Sequence, residues 1–365
     1  MRLWLFIVIG ICCTSFHAPV LYLWNKIDMD DEGKYILVSP QNLPTKLIAV
    51  DNPQQVQTLD MPLSGNMYKA ILSGDGEQVV WGNNHQVAKA TRNDSILKPN
   101  FITPVNGRTW LDLDCNEDGS IWVATIDDPD SHKNGQRRCS PGKRRFVIGS
   151  KYTDSTNITH YPMNGKVEEC RFINVVRLMN DSTVIFQFGD YGIYESVKTK
   201  GEWITNKILP VEYILTRQPV AKTKDRLLVW KRVGEDNGGS FELLLLDKKD
   251  GKWSEPYRLI PDLPINAGPW HTAISPDGDK IVYMEYVRDS EQMITQTTLY
   301  ISRFQYGKWT MPTVLKRLQK FGEPWRQTGD IVLSNRNLLY DDMSYAPKLI
   351  TSLDGDGEVI SIKIN

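Results

Sequence analysis

The chain has 365 residues, of which 41% are hydrophobic, and its formal net charge at pH 7 is -1. This length and apolar content suffice for one large domain or two small ones. The near-zero net charge gives no global reason to expect binding to nucleic acid or to an anionic membrane surface. Eleven tryptophans and fifteen tyrosines, without a long segment of helical periodicity, favour an all-β protein.

The N-terminal segment has the pattern of an export signal. Arg2 precedes an apolar run, Leu3–Cys13, with the length of a signal-peptide core. We therefore expect a signal peptide over residues 1–18 and a periplasmic or extracellular mature chain. An uncleaved anchor is the alternative, because apolar residues resume at Val20–Trp24. Contact with a membrane would then be limited to this segment.

Short strands separated by turns are predicted over the rest of the chain. The clearest unit, Gly268–Lys316, contains four of them: His271–Ser275, Lys280–Tyr286, Thr298–Phe304 and Trp309–Leu315. Apolar alternation within these strands and turns at Asp277-Gly278 and Gly307-Lys308 are typical of an antiparallel meander.

The same order of strand, turn and strand recurs along the chain. In chain order the predicted units are Leu21–Asp60, Met67–Ala90, Trp110–Thr125, Ile173–Leu209, Tyr213–Ile260, Gly268–Lys316 and Pro324–Asn365. Gly-x-Trp opens the last strand of three units, at Gly201, Gly251 and Gly307, a spacing close to that of propeller blades. A four-stranded meander cannot bury both faces alone, and a ring of meanders can. The sequence thus predicts an all-β fold: a single β-propeller over residues 21–365, with seven four-stranded antiparallel blades. Six and eight blades are the alternatives.

One blade carries a family resemblance. The segment Ala273–Tyr283, AISPDGDKIVY, resembles the repeat of TolB-like, WD-repeat-like bacterial β-propellers. The turns Gly251-Lys252-Trp253 and Gly307-Lys308-Trp309 are similar to the outer-strand turn of the same repeat proteins. One or two other blades match this repeat partly, and the rest match it only in the order of strand, turn and strand. This family includes periplasmic scaffolds, peptidase propeller domains and some lyases, so the resemblance implies a fold rather than a function.

Residues that lead into the innermost strands are the candidates for ligand binding. Pro-Trp followed by a basic residue occupies this junction in two adjacent blades, and an arginine occupies it in two earlier ones. Side chains at this position converge on one mouth of a propeller tunnel. The predicted binding residues, for a sugar or a carboxylate-bearing ligand, are Trp270, His271, Trp325, Arg326, Arg217 and Arg171. The alternative is that the tryptophans pack between blades and the basic groups neutralise tunnel carboxylates or carbonyls.

Two further features have a structural interpretation. Asp114–Gly119 matches the first half of a calcium loop, but the twelfth position is Thr125 rather than Glu. We interpret it as the Asp-Gly turn of a blade. Cys115, Cys139 and Cys170 remain after removal of the signal. A Cys115–Cys139 bridge and three buried thiols are the open alternatives.

The sequence contains no recognisable nucleophile elbow, zinc-binding helix, phosphate loop or pair of catalytic carboxylates. We therefore expect an exported, non-enzymatic propeller that binds a protein or a glycan at the tunnel mouth. No cofactor, metal ion or nucleic acid is expected. The alternative function is that of a carbohydrate-active enzyme, a glycoside hydrolase or polysaccharide lyase, with acidic and basic side chains around the tunnel.

Overall fold

The computed structural model describes residues 26–39, 44–59, 69–82, 86–92, 100–104, 112–126, 145–150, 153–160, 173–188, 192–233, 240–259, 267–288, 294–318, 331–340, 347–353 and 358–361. The regular structure of these residues is β-strand throughout. In this part of the chain no helix has the length and apolar character needed to cross a membrane. The predicted signal segment lies outside the described residues.

The strands pair antiparallel with their neighbours in sequence, and they form meanders that we number as units 1 to 7. Unit 1 contains β1 (Lys26–Met29), β2 (Tyr35–Ser39), β3 (Thr45–Ala49) and β4 (Asn52–Leu59). Unit 2 contains β5 (Lys69–Leu72), β6 (Gln78–Gly82), β7 (Gln86–Thr91) and β8 (Asn100–Pro104). Unit 3 contains β9 (Leu113–Cys115), β10 (Ile121–Ile126), β11 (Arg145–Ser150) and β12 (Thr153–His160). Unit 4 contains β13 (Ile173–Asn180), β14 (Thr183–Phe188), β15 (Gly192–Thr199) and β16 (Glu202–Leu209).

Units 5 and 6 belong to one ten-stranded sheet. Unit 5 contains β17 (Tyr213–Ala221), β18 (Arg226–Val233) and β19 (Ser240–Lys249), with β20 (Lys252–Trp253) and β21 (Tyr257–Arg258) both paired to β19. Unit 6 contains β22 (Ala267–Ile274), β23 (Lys280–Arg288) and β24 (Ile294–Gln305), with β25 (Lys308–Trp309) and β26 (Thr313–Leu318) both paired to β24. A single parallel bridge, Gln218 to Ala273, joins the two units. Unit 7 contains β27 (Ile331–Leu333), β28 (Leu338–Tyr340), β29 (Lys348–Ile350) and β30 (Val359–Ser361).

The outer strand predicted over Trp309–Leu315 is divided in the structure. It consists of β25 and β26, separated by Thr310–Pro312. Both short strands pair with β24, so the break lies within one edge of unit 6 rather than between units.

The first strands of the units form a closed ring. Contacts join β1 to β5, β5 to β9, β9 to β13, β13 to β17, β17 to β22 and β22 to β27, and β27 returns to β1. The first strand of each unit is therefore its innermost strand, and the later strands lie farther out.

The apolar core lies between adjacent units. Buried side chains form clusters that each draw on two consecutive units. Trp81 of unit 2, for example, is fully buried with Leu37 of unit 1. Ile27 of unit 1 packs with Leu339 of unit 7, which closes the ring. Because every unit buries its faces against its neighbours, the units depend on one another for stability.

The turn after each innermost strand packs against a neighbouring unit. In unit 6, Gly278 has a φ of 73°, and its N–H donates to Ser275 O at 2.9 Å. A Cβ at Gly278 would lie 3.0 Å from Cβ of Ala221 in unit 5. Glycine therefore provides both the left-handed backbone and the close approach. The predicted turn at Asp277-Gly278 is confirmed.

Candidate functional site

A small charged cavity lies inside the ring of innermost strands. Its volume is about 80 Å³, and we call it the central cavity. Four basic side chains line it: Lys69, Arg177, Arg217 and Lys222. Three carboxylates also line it: Asp28, Asp31 and Asp114. The apolar lining includes Ile71 and Val332.

Strand periodicity explains why charges collect at this place. Successive side chains of a strand point to opposite sides. In β1, Asp28 stands between Ile27 and Met29, which are both buried in apolar surroundings. In β13, Arg177 stands between Val176 and Leu178 in the same way. A charged residue flanked by apolar ones in an innermost strand is thus the sequence signal for this wall.

Asp112 is the anionic centre that holds two of the basic groups. Its carboxylate lies 2.6 Å from Lys69 Nζ and also accepts a bond from the guanidinium of Arg177. The N–H of Val176 donates to the same carboxylate at 3.0 Å. Burial alone would raise the pKa of Asp112, but the charges of Arg177 and Lys69 outweigh it and hold this pKa below its ordinary value. Asp112 is therefore ionised at neutral pH.

Lys69 and Arg177 are fixed by further bonds. Lys69 Nζ donates to Leu113 O at 2.8 Å, and burial lowers the pKa of its amine. Arg177 donates to Arg217 O at 2.9 Å, so it connects β13 to β17. Burial works against the charged form of Arg177, but Asp112 and Asp114 raise its pKa.

Asp28 and Asp114 each connect neighbouring innermost strands. Asp28 accepts the N–H of Leu72 at 2.7 Å, and Asp114 accepts the N–H of Leu178 at 2.7 Å. Burial raises the pKa of Asp28 to about 6 and also raises that of Asp114. The two carboxylates thus provide acceptors for backbone N–H groups of the next innermost strand, with which their own strand forms no ladder.

Two contacts cross the ring without regard to sequence order. Lys222, in the turn after β17, lies with Nζ 3.3 Å from Asp31 Oδ1 and 3.4 Å from Oδ2. Asp31 belongs to unit 1, so units 2, 3 and 4 lie between the partners in the chain. Gln218 of unit 5 donates to Leu333 O at 2.7 Å and accepts from Leu333 N at 2.9 Å, which links it to unit 7. Burial favours neutral Lys222, but Asp31 and Asp114 outweigh it and raise the pKa of Lys222.

The structure describes two of the predicted binding side chains, Arg217 and His271. Arg217 lines the central cavity. His271 is 4% exposed, its ring packs edge-on against Tyr286 with centroids 5.5 Å apart, and it is not among the described residues that line the cavity. Trp270 belongs to β22, but its side chain is outside the described part. Trp325, Arg326 and Arg171 also lie outside the described residues.

The sequence patterns did not predict Lys69, Arg177, Lys222 or their carboxylate partners as site residues. Lys69 and Arg177 could have been found, because each is a charged residue next to apolar residues of an innermost strand, β5 and β13. Lys222 could not, because its partner Asp31 is 191 residues away in the chain.

The turn after β9 uses its polar atoms within the protein. Asn116 Oδ1 accepts the N–H of Ile121 at 2.9 Å, and Asp118 Oδ1 accepts the N–H of Ser120 at 2.9 Å. These bonds are those of a blade turn. Within the described residues, no group of three His, Cys, Asp or Glu side chains is arranged to hold a metal ion.

Cys115 is a free thiol buried between units 2 and 3. Its Sγ donates to Leu72 O at 3.4 Å. Of the two alternatives for the cysteines, the buried thiol therefore holds for Cys115. Cys139 and Cys170 lie outside the described residues.

Comparison with known proteins identifies the fold. No family model matches the chain, and no curated protein matches it. Among solved structures, the β-propeller domain of the Trilobed protease from Pyrococcus furiosus is similar over 93% of this chain and 95% of its own, with 12% identity and a TM-score of 0.60. An oligogalacturonate lyase from Vibrio parahaemolyticus is similar over 92% and 88%, with 12% identity and a TM-score of 0.59. The Cps50 (Swd1) β-propeller domain from Myceliophteria thermophila is similar over 93% and 97%, with 11% identity and a TM-score of 0.56.

The chain therefore has a β-propeller fold, and the all-β prediction is confirmed at this level. Since the identities are low and the three proteins differ in kind, the likeness concerns the fold alone.

Proposed function

We propose that this chain is an exported, non-enzymatic propeller of seven blades that binds an anionic ligand, glycan or protein, at its central cavity. The seven units and their closed ring of innermost strands support the blade number. The segment Ala273–Tyr283 supports kinship with TolB-like repeats.

The convergence of four cationic side chains carries the binding proposal. Lys69, Arg177, Arg217 and Lys222 come from β5, β13, β17 and the turn after β17, and they meet in one cavity. Two of the neighbouring carboxylates, Asp28 and Asp114, already accept hydrogen bonds from backbone N–H groups. Guanidinium and ammonium groups in a partly enclosed site favour a carboxylate or a similar oxyanion.

The size of the cavity limits how a ligand binds. Ligand pockets for whole small molecules have volumes of roughly 300–1,000 Å³, and the central cavity has about 80 Å³. The body of a glycan or protein ligand would remain outside on the surrounding face. An acidic group of the ligand would enter the cavity.

The experiment compares charged and uncharged ligands with two arginine variants. Isothermal titration with galacturonate oligomers, polyglutamate and neutral cello-oligomers should detect binding of an anionic ligand and no binding of the neutral one. Arg217→Gln should weaken that binding at least about tenfold, the scale of one charge-assisted hydrogen bond. Arg258→Gln is the matched control, since Arg258 pairs with Glu242 on the exposed outer part of unit 5. Equal affinities for charged and neutral ligands would contradict the proposal, and so would equal effects of the two variants.

Export is the part of the proposal that rests on the N-terminal segment. The apolar run Leu3–Cys13 behind Arg2 supports it. Mass spectrometry of the protein isolated from its native host should find an N-terminus between residues 14 and 25. An intact Met1 in a soluble cytoplasmic fraction would contradict export.

Polysaccharide lyase activity is the second candidate function, and one observation favours it. Lys69 has a pKa lowered by burial and lies in the same cavity as Arg177 and Arg217. A lyase needs a base that removes a proton next to a carboxylate held by positive charge. We rank this function second, because Lys69 is bonded to Asp112 and Leu113 and the cavity is too small for a sugar ring.

The lyase candidate has a direct assay. Two of the similar structures are oligogalacturonate lyases, one of them in complex with manganese, at 12% and 13% identity. The chain would be incubated with oligogalacturonate, with and without manganese, and the ultraviolet absorbance of an unsaturated product recorded. Product that forms with the wild type and disappears with Lys69→Met would establish the lyase function in place of the binding one. No product under either condition would reject it.

A further inference from the structure

We infer that the central cavity holds one carboxylate-sized oxyanion, and that Lys222 binds it by exchanging its bond to Asp31 for a bond to the anion. The inference rests on the proposed function and deepens it: it specifies which part of a ligand enters and which cation holds it.

The volume of the cavity limits the size of the group that can bind inside it. A buried water needs about 10–15 Å³ of probe-occupied space, and the central cavity has about 80 Å³. The space therefore corresponds to a small cluster of waters, or to one carboxylate with a water or two. A sugar ring is too large for it.

The two lysines of the cavity differ in how firmly they are held. Lys69 Nζ lies 2.6 Å from Asp112, and the carboxylate of that aspartate is 4% exposed. Lys222 Nζ lies 3.3 Å from Asp31, and both side chains are about a quarter exposed. A longer and better solvated ion pair contributes less to stability, so it is the easier one to break.

Lys222 also has donors to spare. An ammonium group has three N–H donors. In the described part of the chain its hydrogen-bond partner is the Asp31 carboxylate. Its side chain is long and flexible, and it reaches the cavity from a turn. It can therefore turn toward an anion without movement of the ring.

Asp31 stays in place when Lys222 leaves it. Its N–H donates to Gly74 O at 2.9 Å, and its carbonyl accepts the N–H of Asn335 at 2.8 Å. Its carboxylate lies over Gly74, where a Cβ would be 2.5 Å from Oδ2. The backbone of Asp31 is thus fixed on both sides, and its partly exposed carboxylate can be hydrated after the exchange.

The arginines supply the field that attracts the anion. Arg177 is held by Asp112 and by the carbonyls of Val176 and Arg217, so its charge is fixed at the cavity wall. Arg217 lines the same space from β17. An anion in the cavity is therefore attracted by the fixed charge of Arg177 as well as by the ammonium group of Lys222.

The test uses acetate, the smallest suitable carboxylate, on the full chain and three variants. Line broadening of carbon-13 acetate in NMR reports the affinity. Lys222→Met should lower it at least about tenfold, since it removes one charge-assisted hydrogen bond. Asp31→Asn should raise the affinity several-fold, because it removes the charge that competes for Lys222. Lys224→Met is the matched control: Lys224 is in the same turn but pairs with Asp279 outside the cavity, and its removal should leave acetate binding unchanged.

The outcomes separate this inference from the proposed function. Equal acetate affinity in Lys222→Met and Lys224→Met, or weaker binding in Asp31→Asn, would overturn it. If Lys222→Met does not fold, the direction of the Asp31→Asn change still decides. Failure of acetate to bind, while galacturonate oligomers or polyglutamate bind in an Arg217-dependent way, would reject the inference and leave the proposed function standing. Acetate binding lost in Lys222→Met, with no binding of either anionic polymer, would reject the proposed function alone.

Discussion

Asp112 shows how single residues keep a charged cavity stable inside a β-protein. It is 4% exposed and pairs with both Lys69 and Arg177, while Val176 N–H donates a third bond to it. Charges taken out of water are costly unless each has a partner. The three groups are therefore stable only as a set, and loss of the carboxylate leaves two cations without their counter-charge.

Replacement of Asp112 tests this set. Asp112→Ala should lower the free energy of unfolding by about 3–5 kcal/mol, the cost of breaking a buried ion pair. Asp51→Ala, at an exposed position in the turn after β3, should change it by less than about 0.5 kcal/mol. Urea unfolding of both variants measures the difference. A loss at Asp112 no larger than that at Asp51 would show that Lys69 and Arg177 do not depend on this carboxylate.

Asp28 and Asp30 give stability a pH dependence opposite to that of ordinary carboxylates. Burial raises the pKa of each to about 6, against 3.8 for the free side chain. Between about pH 4 and pH 6 the folded state therefore binds more protons than the unfolded state, so stability rises as the pH falls through this range. Asp112, whose pKa is lowered, contributes stability that is present at neutral pH and is lost only below about pH 4.

Urea unfolding at several pH values checks this dependence. Acidification from about pH 7 to pH 5 should increase the free energy of unfolding. Asp28→Asn should remove its share of the increase, about 1–2 kcal/mol with allowance for its partial exposure. Identical pH profiles for Asp28→Asn and the wild type would contradict the assignment.

At the scale of elements, β17 departs from a regular innermost strand. Its register with β18 shifts between Leu215 and Val220. Within this stretch Gln218 bridges β22 through its backbone and bonds both N and O of Leu333 through its side chain. The side-chain amide of Gln218 thus pairs with Leu333 as the backbone of a neighbouring strand would. Gln218 therefore connects units 5, 6 and 7.

Gln218→Ala should remove this link. Leu333 N and O would lose their partners in a buried strand, at a cost of about 1–3 kcal/mol. Hydrogen exchange of the Leu333 amide should become faster relative to amides in unit 3. Gln305→Ala, at an exposed position of β24, is the control. Unchanged exchange at Leu333 would show that the side-chain bonds add nothing to the position of β27.

The elements themselves follow from local sequence patterns. The Asp277-Gly278 turn lies where the turn residues predict it. The strands β16, β20 and β25 each begin at the residue between the glycine and the tryptophan of a Gly-x-Trp sequence. The division of the outer edge of unit 6 into β25 and β26 was not predicted, although Pro312, which has no N–H for a sheet ladder, lies in the gap between them.

The candidate site was predictable only in small part. Arg217 could be assigned to the tunnel from its position at an innermost strand. The partners that define the cavity lie far apart in the chain, as for Lys222 and Asp31, and no local period connects them. His271 fits the same pattern as Arg217, but its ring packs against Tyr286, a contact that alternation alone does not reveal.

At the scale of the whole molecule, the ring closes through side chains and loops. The first and last units are each made of one continuous segment, and in the described residues neither contributes a strand to the other. Asn337 Nδ2 donates to Gly33 O at 2.7 Å, and the cluster of Ile27 and Leu339 fills the interface. Closure brings Asp31 of unit 1 within reach of Lys222 of unit 5. The central cavity is therefore a property of the closed ring rather than of any single unit.

The anion site at the central cavity is tested most directly by the affinity of the chain for a galacturonate oligomer and for the same oligomer with its carboxylates reduced to alcohols. The two ligands share their sugar backbone and differ in charge, so isothermal titration isolates the contribution of the cationic cavity. We predict binding of the charged oligomer, no detectable binding of the reduced one, and an affinity for the charged oligomer at least about tenfold lower in Arg217→Gln. Equal binding of both oligomers, or an unchanged affinity for the charged one in Arg217→Gln, would contradict an anion site at the central cavity.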